Sequence, residues 1–120
     1  MNIIKKSAIA LLIILAAPLA LACDYPSKPA NLPDGTSATK EEMLAAVKTI
    51  QKYQEVMTAY LSCIEANAVV SGQAIDPEDK AAKKQHDEMV TKKYNAAVDE
   101  QTLVVEEFNA QIRAFKAQSK

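Results

Sequence analysis

The chain has 120 residues, of which 24% are charged, with a formal net charge of −1, two cysteines and two glycines. A chain of this length holds one domain at most. Its near balance of acidic and basic residues, with no basic block, excludes the positive surface that a nucleic-acid-binding protein needs.

The first 22 residues have the three parts of a secretory signal peptide. Lys5 and Lys6 form the basic start, an apolar run begins at Ala8, and small residues lead up to a cleavage site between Ala22 and Cys23. The apolar run is shorter than the roughly 20 residues of a membrane span. The sequence therefore predicts a cleaved signal peptide at 1–22 and a periplasmic location, which is an oxidising compartment. Without Lys5 and Lys6 the chain has 12 basic and 15 acidic residues, a net charge of −3.

Cys23 allows two interpretations. The preceding Ala-Leu-Ala suits the ordinary signal peptidase, and Leu-Ala-Cys partly suits the lipoprotein route, in which Cys23 would be acylated and would anchor the chain to a membrane. Cys63 is the other cysteine, and an even number of cysteines in an exported chain favours a disulfide. A Cys23–Cys63 disulfide is the favoured prediction, and a membrane-anchored lipoprotein is the alternative.

The segment 23–39 is predicted to be an extended arm, because its three prolines forbid a helix and favour polyproline-like backbone. Pro-Asp-Gly at 33–35 indicates a turn. Thr39 and Glu42 then have the spacing of a capping box, which predicts a helix over about 40–71.

The first helix is predicted to be amphipathic, because apolar residues recur every three or four positions with one interruption, at Gln54. These residues are Met43, Val47, Ile50, Met57, Leu61, Ile64 and Ala68. Gly72 is the expected C-terminal stop.

The second helix is expected over about 77–117, with Asp76 as its N-cap and Pro77 at its first position. Its apolar face has coiled-coil-like spacing, at Val90, Tyr94, Ala97, Val104, Phe108 and Phe115. Two long helices joined by a short turn pack antiparallel. The predicted fold is therefore an all-α helical hairpin over 40–117, preceded by the arm.

Folding about residue 74 sets Met43 level with about residue 105. Phe108, Ile112 and Phe115 then extend beyond the first helix and need a cover. Either this end frays or a second copy packs on it, so the sequence predicts possible self-association into a four-helix assembly.

The sequence contains no recognisable catalytic motif. His86 is the single histidine and has no carboxylate three or four residues away, so it is interpreted as a solvated surface residue rather than a metal ligand. Glu106 and Glu107 are adjacent and cannot face each other as a glycosidase pair does. We therefore expect no enzyme activity, no cofactor and no metal. Tyr53 and Tyr60 share one helix face, where we expect the arm to pack.

Two stretches carry a resemblance to a known group of proteins. They are CDYPSKPANLPDGTSATKEEMLAAVKTIQKYQEVMTAYLSCIE and KKYNAAVDEQTLVVEEFNAQIRAFK. The chain resembles an uncharacterised family of small exported proteobacterial proteins with a cysteine, a proline-rich arm, PDG, a YLxCxE helix and a second helix. The resemblance implies that Cys23 and Cys63 form a recurring pair, and it implies no activity, cofactor or partner.

Three functional hypotheses follow. The favoured one is a non-enzymatic periplasmic hairpin, stapled by a disulfide, that acts as a structural or interaction module for a protein partner. The alternatives are an envelope lipoprotein anchored through Cys23 and a holdase-like periplasmic chaperone. A membrane contact is expected only if Cys23 is acylated.

Overall fold

The computed structural model describes residues 22–119 and contains two antiparallel helices. Helix α1 spans Lys40–Gln73 and helix α2 spans Lys80–Gln118, joined by a turn at 74–79. The described residues contain no strand, and the predicted all-α hairpin with an extended arm is confirmed. The predicted signal peptide lies outside the described residues except for Ala22, which is exposed.

Helix α1 begins as its sequence predicts. The Thr39 side chain accepts a hydrogen bond from the Glu42 amide at 3.2 Å, and the Glu42 carboxylate accepts one from the Thr39 amide at 2.7 Å. The hydrogen bonds that the Thr39 amide and hydroxyl donate to the Glu42 carboxylate lower the pKa of Glu42. The capping box satisfies amide groups that the first helical turn leaves without an internal partner.

The sequence predicted that helix α1 would stop at Gly72. The helix instead continues to Gln73, with Ala74 as its C-cap. Gly72 has no positive φ, so it does not form the left-handed C-terminal cap of many helices. A Cβ at this position would stand 3.4 Å from Cε1 of the His86 ring, which is an ordinary van der Waals contact, so the space around Gly72 does not require glycine.

The start of α2 also differs from the prediction. Asp76 caps a turn rather than the helix, and its carboxylate accepts a hydrogen bond from the Glu78 amide at 2.9 Å. Asp79 is the true N-cap, and its carboxylate accepts from the Ala82 amide at 2.9 Å. Asp76 and Asp79 are both suitable N-cap residues, and the helix begins after the later one, at Lys80.

The buried core occupies one half of the hairpin. It consists of Met43, Ala46, Ile50, Tyr53, Met57 and Ile64 from α1, and Ala97, Val104 and Phe108 from α2. Within the described chain no residue of 65–96 is classed as buried. We call residues 23–64 and 97–118 the packed half, and residues 65–96 the turn half.

The arm, residues 23–39, lies against the two helices of the packed half. At its far end Gly35 donates its amide to the Gln111 side chain at 2.8 Å and accepts a hydrogen bond from the Gln118 side chain at 2.7 Å. A Cβ at Gly35 would overlap the Gln111 carbonyl oxygen and stand 2.9 Å from the Phe115 amide nitrogen. Glycine is therefore required where the arm meets the α2 backbone.

The arm covers the end of α2, which corrects the expectation of an uncovered overhang. Phe108 belongs to the buried core, and Ile112 and Phe115 of α2 pack against that core, as do Leu32 and Ala38 of the arm. The turn is centred later than residue 74, so α1 reaches further along α2 than expected. An uncovered end of α2 is thus no longer a reason for self-association, which stays an untested prediction.

Candidate functional site: an open groove beside the disulfide

The disulfide lies at the boundary between the two halves of the hairpin. Cys23 and Cys63 are bonded, with their Cα atoms 5.7 Å apart. The Asn67 side-chain amide also donates to the Cys23 sulfur at 3.1 Å. The favoured pairing is present, and this bond uses the same sulfur that acylation would modify. Cleavage between Ala22 and Cys23 stays a prediction.

A single carboxylate joins the arm to both helices just beyond the disulfide. Glu100 of α2 accepts a hydrogen bond from the Tyr25 hydroxyl at 3.0 Å and one from the Tyr53 hydroxyl at 3.3 Å. The Tyr25 ring also meets the Tyr60 ring edge-to-face, with centroids 5.0 Å apart. The arm contacts Tyr60 as expected, whereas it is linked to Tyr53 through Glu100, which was not anticipated.

This arrangement holds both hydroxyl groups in their neutral form. Burial, the Glu100 charge and the hydrogen bond to Glu100 together raise the pKa of Tyr53 to about 12. The pKa of Tyr25 is raised by burial and by its hydrogen bond to the same carboxylate. A neutral hydroxyl donates to a carboxylate, whereas a tyrosinate would be repelled by it.

In the described part of the chain, the arm fills the groove between the helices in the packed half and leaves it open in the turn half. Beyond Cys23 it forms a cavity of about 450 Å³. Its apolar lining consists of Tyr60, Ile64 and Ala68 from α1 and Met89 and Val90 from α2. Its polar lining consists of Asn67, Ser71, His86 and Lys93, and Ala22 and Cys23 stand at its arm end.

His86 closes the far end of this groove. Its Nε2 lies 2.7 Å from the Ser71 hydroxyl, and its Nδ1 lies 3.1 Å from the Asp87 carboxylate. Only 18% of the His86 side chain is exposed. The interpretation of His86 as a solvated surface residue is therefore wrong, because the ring sits between the helices and lies on the Gly72 backbone.

The order Ser71, His86, Asp87 has the connectivity of a serine-nucleophile relay. The Ser71 hydroxyl, however, also lies 2.8 Å from the Asn67 carbonyl oxygen one turn earlier in α1. A neutral His86 ring satisfies both of its contacts if Ser71 donates to Nε2 and Nδ1–H donates to Asp87. A protonated ring donates at both nitrogens and leaves the Ser71 hydrogen to Asn67.

An acyl-transfer site also needs free amide donors that converge on the developing oxyanion. Ser71 lies inside α1, where amide groups donate to carbonyls four residues earlier. The geometry therefore fits a hydrogen-bonded link between the two helices better than a nucleophile.

Other kinds of site find little support in the part of the chain that the structure describes. Residues 22–119 hold no group of three or more His, Cys, Asp or Glu side chains that could bind a metal ion. Among these same residues, neither helix is apolar enough over a sufficient length to cross a bilayer.

Comparisons with protein families, with curated proteins and with solved structures return no match to this chain.

Proposed function

We propose that this protein is an exported, non-enzymatic interaction module that binds a protein partner through its turn half. One observation carries the proposal: among residues 22–119 the arm fills the groove in the packed half, and no described segment fills it in the turn half. A hairpin whose groove served stability alone would be more stable if apolar side chains filled the whole length of the groove. The open length is therefore available to a partner.

The disulfide supports an oxidising destination for the module. Disulfides persist in the bacterial periplasm and are rare in the cytosol. Together with the signal-peptide pattern of residues 1–22, the Cys23–Cys63 bond favours the periplasm. The lipoprotein alternative is less favoured, because an acylated Cys23 could not keep this bond.

The turn half also presents apolar side chains to solvent around the groove. Met89 lines the groove and is 54% exposed, and Val69 is 61% exposed beside a second hollow next to Gly72. Single exposed apolar residues are common on protein surfaces. Here Met89 lines the open groove and Val69 lines the neighbouring hollow, so both lie where a partner bound to the turn half would contact them.

Photo-crosslinking in the native host tests this proposal. A photoreactive amino acid is placed at Val69 or at Met89 in the turn half, and at Leu44 or Leu103 as controls in the packed half. The control side chains are 54% and 56% exposed, so they match the test positions in accessibility. We expect a discrete crosslinked partner from the turn half only. Equal crosslinking from both halves, or none from the turn half, would contradict the proposal.

Crosslinking, together with an aggregation assay, separates this module from a holdase-like chaperone. A holdase contacts many unfolded proteins and suppresses the aggregation of unrelated substrates. The proposed module gives one or a few crosslinked species and leaves the aggregation of an unrelated unfolded protein unchanged. A broad smear of crosslinked products together with suppressed aggregation would favour the chaperone instead.

A further inference from the structure

We propose that the open groove binds an extended, apolar polypeptide segment that ends in a carboxylate beside Lys93. The segment lies end-to-end with the arm and runs in the same chain direction. This inference rests on the proposed function and names the chemical class of the partner.

The arm supports an extended polypeptide as the occupant. Residues 22–34 have no helix or strand and lead along the helices from the disulfide towards the end of α2. Tyr60 contacts Tyr25 of the arm and also lines the open groove. The open groove is thus continuous with a surface that already holds extended backbone.

The length and lining of the groove fit a short apolar segment. Nine residues of α1, from Cys63 to Ser71, span about 12 Å at 1.5 Å per residue. An extended chain covers that distance with three or four residues at about 3.3 Å each. Ile64, Ala68 and Val90 offer such a segment apolar contacts along this length.

The charge that lines the groove favours an anionic end group. Lys93 lines it, and among the described lining residues none is acidic. The Tyr53–Glu100 and Ser71–His86 hydrogen bonds set the register of the helices, which places Lys93 near the level of Cys63. A segment that runs in the direction of the arm therefore ends beside Lys93. Cleavage before Cys23, if it occurs as predicted, adds an α-ammonium group at the same place.

Fluorescence polarisation with defined peptides tests the inference on the exported, disulfide-bonded protein. The probe is Leu-Ala-Leu-Ala, labelled at its N-terminus, with a free C-terminal carboxylate or with a C-terminal amide. We expect saturable binding, with the acid about fivefold tighter than the amide, as for one partly exposed ion pair. Gly-Ser-Gly-Ser with a free carboxylate should not show saturable binding.

Two pairs of matched variants locate the binding. Lys93→Gln should abolish the preference for the acid, whereas Lys92→Gln, at an exposed position that does not line the groove, should retain it. Met89→Gln should weaken both peptides about tenfold through lost apolar burial. Val70→Gln should leave both affinities unchanged, because Val70 is 67% exposed and does not line the groove.

Several results would overturn the inference: no saturable binding of the acid peptide, equal affinity for acid and amide, or insensitivity to Met89→Gln. Binding of decanoate without binding of the peptide would also overturn it in favour of an acyl chain. Crosslinks from Val69 or Met89 without peptide binding would reject the segment and leave the proposed function intact. Absence of both would reject both.

Discussion

Glu100 of α2 accepts a hydrogen bond from the hydroxyl of Tyr53, which is 3% exposed in the core of α1. The same carboxylate accepts a bond from Tyr25 of the arm, so one side chain fixes three segments of the chain. Tyr25 follows Cys23 by two residues, so the Glu100 contacts and the Cys23–Cys63 disulfide together hold the start of the arm against both helices. The open groove begins on the turn side of the disulfide.

Removal of the Glu100 charge should lower the pKa of Tyr53 from about 12. In Glu100→Gln the shift should shrink but not vanish, because burial is its largest cause. The measurement is a spectrophotometric titration of tyrosinate, with Tyr53→Phe identifying the Tyr53 contribution. An unchanged titration in Glu100→Gln would show that the carboxylate does not act on this hydroxyl.

The raised pKa of Tyr53 also predicts a loss of stability at high pH. Between the ordinary tyrosine value of 10.0 and the folded value of about 12, the folded protein holds a proton that the unfolded chain has released. The free energy of unfolding therefore falls as the pH rises through this window, and the contribution is fully present below it. Urea denaturation across these pH values measures the slope. Tyr53→Phe should reduce the slope, whereas the control Tyr94→Phe, at a tyrosine that does not bind Glu100, should not.

The two glycines should respond oppositely to alanine. Gly35→Ala places a Cβ against the α2 backbone and should cost about 2 kcal/mol, as overpacking does. Gly72→Ala places a Cβ at van der Waals distance from His86 inside a helix, where alanine is favoured by up to about 1 kcal/mol. Thermal denaturation with the disulfide intact compares them. An unchanged melting temperature in Gly35→Ala would mean that the arm does not contact the α2 backbone at this position.

The disulfide should account for a large part of the stability. Its cysteines are separated by 40 positions, and closing such a loop restrains the unfolded chain by about 4 kcal/mol in the chain-entropy model. Reduction, or the Cys23→Ser and Cys63→Ser double variant, should lower the free energy of unfolding by this order. A change in the free energy of unfolding below about 1 kcal/mol would show that the hairpin is stable without its disulfide.

The intact mass of protein from the native envelope tests the chemistry at Cys23. We expect the mass of residues 23–120 less two hydrogens, with a gain of two hydrogens on reduction. A mass increased by a diacylglycerol and a fatty acyl chain would instead identify an anchored lipoprotein, and Cys63 would then lack its disulfide partner.

The link between Ser71 and His86 should hold the turn half together. Ser71→Ala removes the 2.7 Å contact and should cost about 1 kcal/mol. Because no residue of 65–96 is buried, the effect should be local, with faster amide hydrogen exchange in the turn half and unchanged exchange around Met57. Ser119→Ala, at an exposed hydroxyl bonded to the Phe115 carbonyl, is the control. Equal exchange in both variants would show that the link does not stabilise the turn half.

Features that depend on neighbouring residues could be predicted from the sequence. Thr39 and Glu42 are three positions apart, and their capping box formed as predicted because it needs only local backbone geometry. The two amphipathic helices follow from apolar periodicity in the same way. The disulfide could be favoured because Cys63 was the one available partner for Cys23 in this chain.

Features that depend on the register between the helices could not be predicted. Asp76 and Asp79 are both good caps, and the choice of the later one shifts the residues that face each other across the hairpin. That shift brings Glu100 to Tyr53 and Ser71 to His86, pairs that are 47 and 15 residues apart. The open groove has the same origin, because it exists only where the arm ends and the two packed helices continue. Local propensities act over a few residues. Contacts between the helices depend instead on how the two helices dock, because docking fixes the relative positions of all their side chains together.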